Sequence, residues 1–119
     1  MLNLDTHILI HALEGTLTPA ERKLLGADVW SVSAIVLWEI ARLVQLGRVE
    51  LDIDSAEFSQ ALASVHVWPL DLAISRQIRH LDFQSDPADE IIAATSLVHR
   101  VPLVTRDRKL RHSKVVPLA

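Results

Sequence analysis

The chain is 119 residues long, half of them hydrophobic, with no cysteine and a formal net charge of −3. That length suits one compact domain over residues 1–119; the lack of cysteine excludes disulfides and thiolate metal sites; the net acidity argues against a general nucleic-acid binder. No apolar run approaches the roughly 20 residues of a membrane span, and no basic stretch leads into an apolar one as in a secretory leader, so a cytoplasmic protein with no membrane partner is expected.

In chain order, Met1–Leu4 reads as a strand and Thr6 to about Leu13 as a helix. Thr18-Pro19-Ala20-Glu21 is a capping box with Pro at the first helical position, opening a helix that Gly26 ends. Val29–Val32 predicts a strand, and a long helix follows from about Ala34 to Leu46, stopping at Gly47. Asp54, with Glu57 three residues on, predicts a capped helix; Val67–Leu70 predicts a strand and Asp71 a helix to about Leu81. Asp86-Pro87 starts a helix to about His99, Pro102–Thr105 reads as a strand, and Val115–Leu118 as a last short one. Short apolar runs alternating with helices indicate an α/β domain with a mainly parallel sheet. In such sheets the ligand site lies outside the carboxyl ends of the strands, where Asp5 and Asp107 fall.

Four carboxylates are each tied to an apolar element. Asp5 follows the first strand, Glu39 interrupts AIVLWEIA, Asp89 lies near the start of DPADEIIAATSLV, and Asp107 closes PLVTRD. At about 100° per residue, Glu39 falls in the arc of Ile35, Leu43 and Leu46, away from Trp38, Arg42 and Gln45. Asp89 shares a face with Ile92, Ala93 and Ser96, whereas Asp86 is placed to cap the same helix. Each residue has a structural explanation: Asp5 as a helix cap, Glu39 at the rim of a buried stripe, Asp107 as a turn residue paired with Arg106 or Arg108. Together, on four separate elements, they point to a shared role, because clustered carboxylates repel unless a cation joins them. Oxygen-only ligation suits Mg²⁺ or Mn²⁺, which also bind substrate phosphates. Arg100, Arg106, Arg108, Lys109, Arg111 and Lys114 form a basic segment around Asp107; it reads either as a solvated tail or as a rim that attracts phosphate.

The stretches LDTH, SAIVLWEI, DPADEIIAATS and PLVTRD, in this order, resemble those of PIN-domain ribonucleases, most closely the VapC toxins of bacterial toxin–antitoxin pairs. The resemblance implies a three-layer α/β/α fold around a mainly parallel sheet of four to five short strands. It implies a Mg²⁺- or Mn²⁺-dependent endoribonuclease with Asp5, Glu39, Asp89 and Asp107 as catalytic, metal-binding carboxylates. It further implies a supporting hydroxyl that Thr6, Ser33 or Thr105 could supply, an RNA substrate, an inhibitory antitoxin and a homodimer. Glu90 departs from the pattern, since many relatives carry Arg there, and the loop between Gly47 and Ser55 is expected to be short. Two other readings stand beside this one. A haloacid-dehalogenase-type phosphotransferase would want a second Asp at position 7, which is His. A catalytically silent RNA- or protein-binding module should have lost a carboxylate, and all four are present. His7 and His11, four apart on the first helix, have zinc-like spacing without a following Glu or a third ligand, so packing or substrate contact is expected of them. Trp38, on the polar side of its helix, is expected at an interface.

Overall fold

A computed structural model describes residues 1–119. Strand β1 (Leu2–Leu4) leads into α1 (Thr6–Glu14), which ends at Gly15 in the left-handed conformation. Helix α2 (Pro19–Gly26) carries the expected capping box, with both of its hydrogen bonds made. Strand β2 (Trp30–Ser33) runs directly into α3 (Ala34–Gln45), capped by the Ser33 hydroxyl. Then come α4 (Ala56–Ala63), β3 (His66–Trp68), α5 (Leu72–Gln77) with a 3-10 turn at Ile78–His80, α6 (Pro87–His99), β4 (Leu103–Val104) and α7 (Arg108–Arg111).

The sheet has the order β3-β2-β1-β4, with every pair parallel. Its carboxyl ends therefore all point one way, and β1 is central. The helices flank this sheet over an aliphatic core in which Leu4, Ile8, Leu9, Val32, Val36, Ile40, Ile92, Leu103 and Leu110 are fully buried. Asn3 is a buried polar residue within β1; its Nδ2 donates to Ser96 Oγ at 2.9 Å and to Ile92 O at 3.3 Å. The central strand is thereby joined to α6 by hydrogen bonds as well as by apolar packing. No helix is long and apolar enough to cross a membrane.

Several local expectations are corrected. Helix α4 is capped by Ser55, whose hydroxyl accepts from Phe58 N, while Asp54 receives no such bond and instead donates its own backbone N–H to Asp52. The last strand is reduced to a single parallel bridge, Leu103 to Leu118. Helix α7 was not anticipated. Leu46, expected on the buried arc of α3, is 50% exposed where the helix ends. Asp86 occupies the N-cap of α6, yet its side chain makes no cap hydrogen bond.

Candidate functional site

Asp5 stands at the tip of the central strand, 2% exposed, and both of its oxygens have donors. Its Oδ1 accepts from Thr6 N at 2.9 Å, which makes it the cap of α1; its Oδ2 accepts from Thr105 Oγ1 at 2.6 Å. Thr105 lies just beyond β4, the strand beside β1, and its hydroxyl also accepts from Asp107 N at 3.0 Å. One threonine thus links the Asp5 carboxylate to the backbone of Asp107. The Thr6 hydroxyl donates to Glu39 Oε1, tying α1 to α3. Asp89, in the first turn of α6, accepts at Oδ2 from Ser85 Oγ at 2.8 Å, and Glu90 turns back to accept from Ser85 N at 3.0 Å. Ser33 is buried, but its hydroxyl caps α3 rather than meeting a carboxylate.

These groups share one electrostatic environment. Burial raises the Glu39 carboxyl above its ordinary range, the Thr6 hydrogen bond opposes this, and the negative charges of Asp5 and Asp89 add to the rise. Asp89 is raised likewise: by burial first, against the Ser85 hydrogen bond, and then by Asp5, Asp107 and Asp86. The four expected carboxylates are therefore neighbours, joined by Asp86 at the margin. They do not, however, form a cage: no three carboxylate or imidazole groups are arranged so as to hold an ion. Each is held by a hydrogen-bond partner of its own. Glu39 accepts from Thr6, Asp89 from Ser85, and Asp107 Oδ1 from the backbone of Lys109 and Leu110 at the start of α7, at 2.8 and 3.2 Å.

The donor chemistry nevertheless fits a hard divalent cation. Glu39 Oε2, Asp89 Oδ1 and Asp107 Oδ2 make no hydrogen bond to protein, so each carboxylate keeps one oxygen for a ligand. Nitrogen ligation is less suited. The Nε2 of His7 lies 3.7 Å from Asp5 Oδ2 but accepts the backbone N–H of Arg106 at 3.2 Å, so its lone pair is engaged.

A family model for the PIN domain matches residues 3–115. The chain belongs to the PIN-domain family. A curated relative, ribonuclease VapC22 of Mycobacterium tuberculosis, is 35% identical over 96 residues, covering 77% of this chain and 73% of that protein. The PIN fold is also evident in solved structures. VapBC2 from Rickettsia felis, bound to a DNA fragment from its promoter, superposes with a TM-score of 0.77 at 18% identity, covering 100% of this chain and 98% of that one. A toxin–antitoxin complex from Klebsiella pneumoniae gives 0.75 at 20% identity, over 100% of this chain and 97% of that one. FitAcB from Neisseria gonorrhoeae gives 0.66 at 22%, over 92% and 90%.

The basic residues do not gather as one rim. Arg100 takes the left-handed position that ends α6; at about 1.5 Å per residue, that is roughly 16 Å along the helix from Asp89. Arg106 is bound by Glu21 through two hydrogen bonds, and Arg111 Nη1 donates to Thr105 O at 3.2 Å. Arg108 and Lys109 are exposed on α7 beside Asp107, and Lys114 lies in the loop beyond, its backbone N–H donating to Asp82. Sequence reasoning gave Ser85 no role and read Glu21 only as part of the capping box; its second partner, Arg106, lies 85 positions away.

Proposed function

We propose that this PIN domain is a divalent-metal-dependent endoribonuclease, the toxin of a toxin–antitoxin pair, that hydrolyses RNA phosphodiesters. The reading rests chiefly on the grouping of Asp5, Glu39, Asp89 and Asp107 at the strand tips, where burial first and neighbouring carboxylates after it raise Glu39 and Asp89 and a cation would relieve the repulsion. The similarity to a ribonuclease over most of the chain supports it. Asp5, Glu39, Asp89 and Asp107 would hold Mg²⁺ or Mn²⁺. Such an ion, when bound, supplies a polarised phosphoryl oxygen and an acidified water.

This chain's own residues set the frame. Thr105 and the Thr6 amide fix both oxygens of Asp5, so this carboxylate has one orientation without further ordering. Thr6 and Ser85 aim Glu39 and Asp89, leaving one oxygen of each free. Arg108 and Lys109 offer positive charge for an RNA backbone next to an acidic centre. An antitoxin and a second copy of the chain are the proposed protein partners; VapBC2 and a toxin–antitoxin complex are among the similar solved structures. Trp38, 59% exposed, gives α3 an outward apolar contact for one of them.

The deciding experiment replaces Asp5 with Asn. Mg²⁺- or Mn²⁺-dependent RNA cleavage should be abolished while the circular dichroism spectrum is kept. Full activity of Asp5→Asn, or of the unaltered protein in excess EDTA, would refute the reading. RNA binding without cleavage by the unaltered protein would favour the silent binding module.

A further inference from the structure

Arg106 is held on several sides. Its guanidinium forks onto Glu21, with Nε to Oε2 at 2.8 Å and Nη2 to Oε1 at 2.6 Å. Its Nη1 donates to His11 Nε2 at 3.0 Å and its backbone N–H to His7 Nε2 at 3.2 Å. Amide and guanidinium groups only donate, so both imidazoles accept at Nε2 and carry their proton on Nδ1. The Nδ1–H of His11 then donates to Thr16 Oγ1 at 2.6 Å. The two histidines that sequence spacing paired on α1 thus receive one arginine, jointly with a carboxylate from α2.

Glu21 also closes the capping box, accepting Thr18 N at 2.8 Å. A cap alone needs no second partner, yet the side chain of Glu21 is only 15% exposed and that of Arg106 36%. The Arg106 fork is the main cause of a Glu21 pKa of about 2, with the Thr18 bond contributing. Arg106 sits between Thr105, the donor to Asp5, and Asp107, whose N–H is bound by Thr105.

We infer that Glu21 is a positioning residue for the reaction: through its forked ion pair it holds Arg106, and with it the Thr105–Asp107 segment that carries two groups of the carboxylate site. This role rests on the nuclease reading for its consequence, but its geometry stands apart from it. It also gives Arg106 an anchoring task in place of phosphate capture.

The test compares Glu21→Ala, Glu21→Gln and Thr18→Ala in the full chain. Amide hydrogen exchange is measured at Arg106 and Asp107, and cleavage of a labelled single-stranded RNA in excess Mg²⁺ is measured in parallel. In Glu21→Ala both amides should exchange about ten-fold faster or more, and kcat should fall by a similar factor without a rise in KM. Glu21→Gln, which keeps one acceptor oxygen for Thr18 N and Arg106 Nη2 but sets an NH2 donor against Arg106 Nε, should recover only part of both. Thr18→Ala, which weakens the cap alone, should lower the melting temperature and leave exchange at Arg106 and Asp107 unchanged. Unaltered exchange in Glu21→Ala, or equal acceleration in Thr18→Ala, overturns the tether; faster exchange with unchanged kcat overturns its catalytic role. If the unaltered protein cuts no RNA, the nuclease reading fails while the exchange data still decide the tether.

Discussion

The hydroxyl of Thr105 donates to Asp5 Oδ2 across 2.6 Å, joining residues 100 positions apart at the tips of adjacent parallel strands. Because Asp5 Oδ1 is already bound to the backbone of α1, this one bond fixes the rotation of the carboxylate. Partners of this kind, one step removed from a metal, tune its affinity. Thr105→Val keeps the shape and removes the donor. It should weaken Mn²⁺ binding, read by calorimetry, by roughly 10–100-fold while Thr105→Ser restores it.

A pH dependence follows from Glu39 and Asp89. Burial is the largest cause of both upward shifts, and neighbouring carboxylates add to it. A raised carboxyl binds its proton more tightly folded than unfolded. Its contribution therefore favours the fold at low pH and is lost as pH rises from the ordinary carboxyl range through the raised value. At neutral pH the metal-free protein should gain stability from Glu39→Gln, read as a higher melting temperature. Added Mn²⁺ should raise the melting temperature of the unaltered protein more at pH 7.5 than at pH 5, and that of Glu39→Gln by less. A melting temperature of Glu39→Gln below that of the unaltered protein at pH 7.5 without metal would count against this account.

Asn3 connects the strand that carries Asp5 with the helix that carries Asp89. Asn3→Ala leaves the Ser96 hydroxyl and the Ile92 carbonyl without this donor in the core. Urea denaturation should show a loss of about 1–3 kcal/mol.

Arg108 and Lys109 are exposed beside Asp107 and are not engaged as Arg106 is. RNA affinity should fall as salt rises. Neutralising both should lower the slope of log affinity against log salt by up to about 0.7 per lost phosphate contact on a single strand. An unchanged slope would remove α7 from the RNA path.

Much of the fold was legible because its signals are local. The capping box of α2, the apolar runs of β1, β2 and β4 and the periodicity of α3 and α6 each lie within a few residues, and they hold, whereas the strand expected at Val67–Leu70 falls at His66–Trp68. The four carboxylates were legible because each sits against an apolar element. What was not legible depends on contacts between distant residues or on neighbours competing for one role. Ser55 and Asp54 are both good caps one position apart, and backbone geometry chose Ser55. Helix α7 is four residues long, too short for a period to show. The bond between Glu21 and Arg106 spans 85 positions and leaves no pattern in the chain. Which donor each carboxylate meets was equally hidden, since it depends on where Thr6, Ser85 and the amides of α7 lie.

The strands are only two to four residues long, and the candidate site hangs directly from their tips. No length of sheet stands between that chemistry and the ends of the hydrogen-bond ladder, so fraying of β4 by even one pair reaches Thr105. Catalysis in such a molecule has no protected interior of its own to fall back on. Heat inactivation and loss of tertiary structure should then trace a single curve, and cleavage activity becomes a gauge of whether the whole domain is intact.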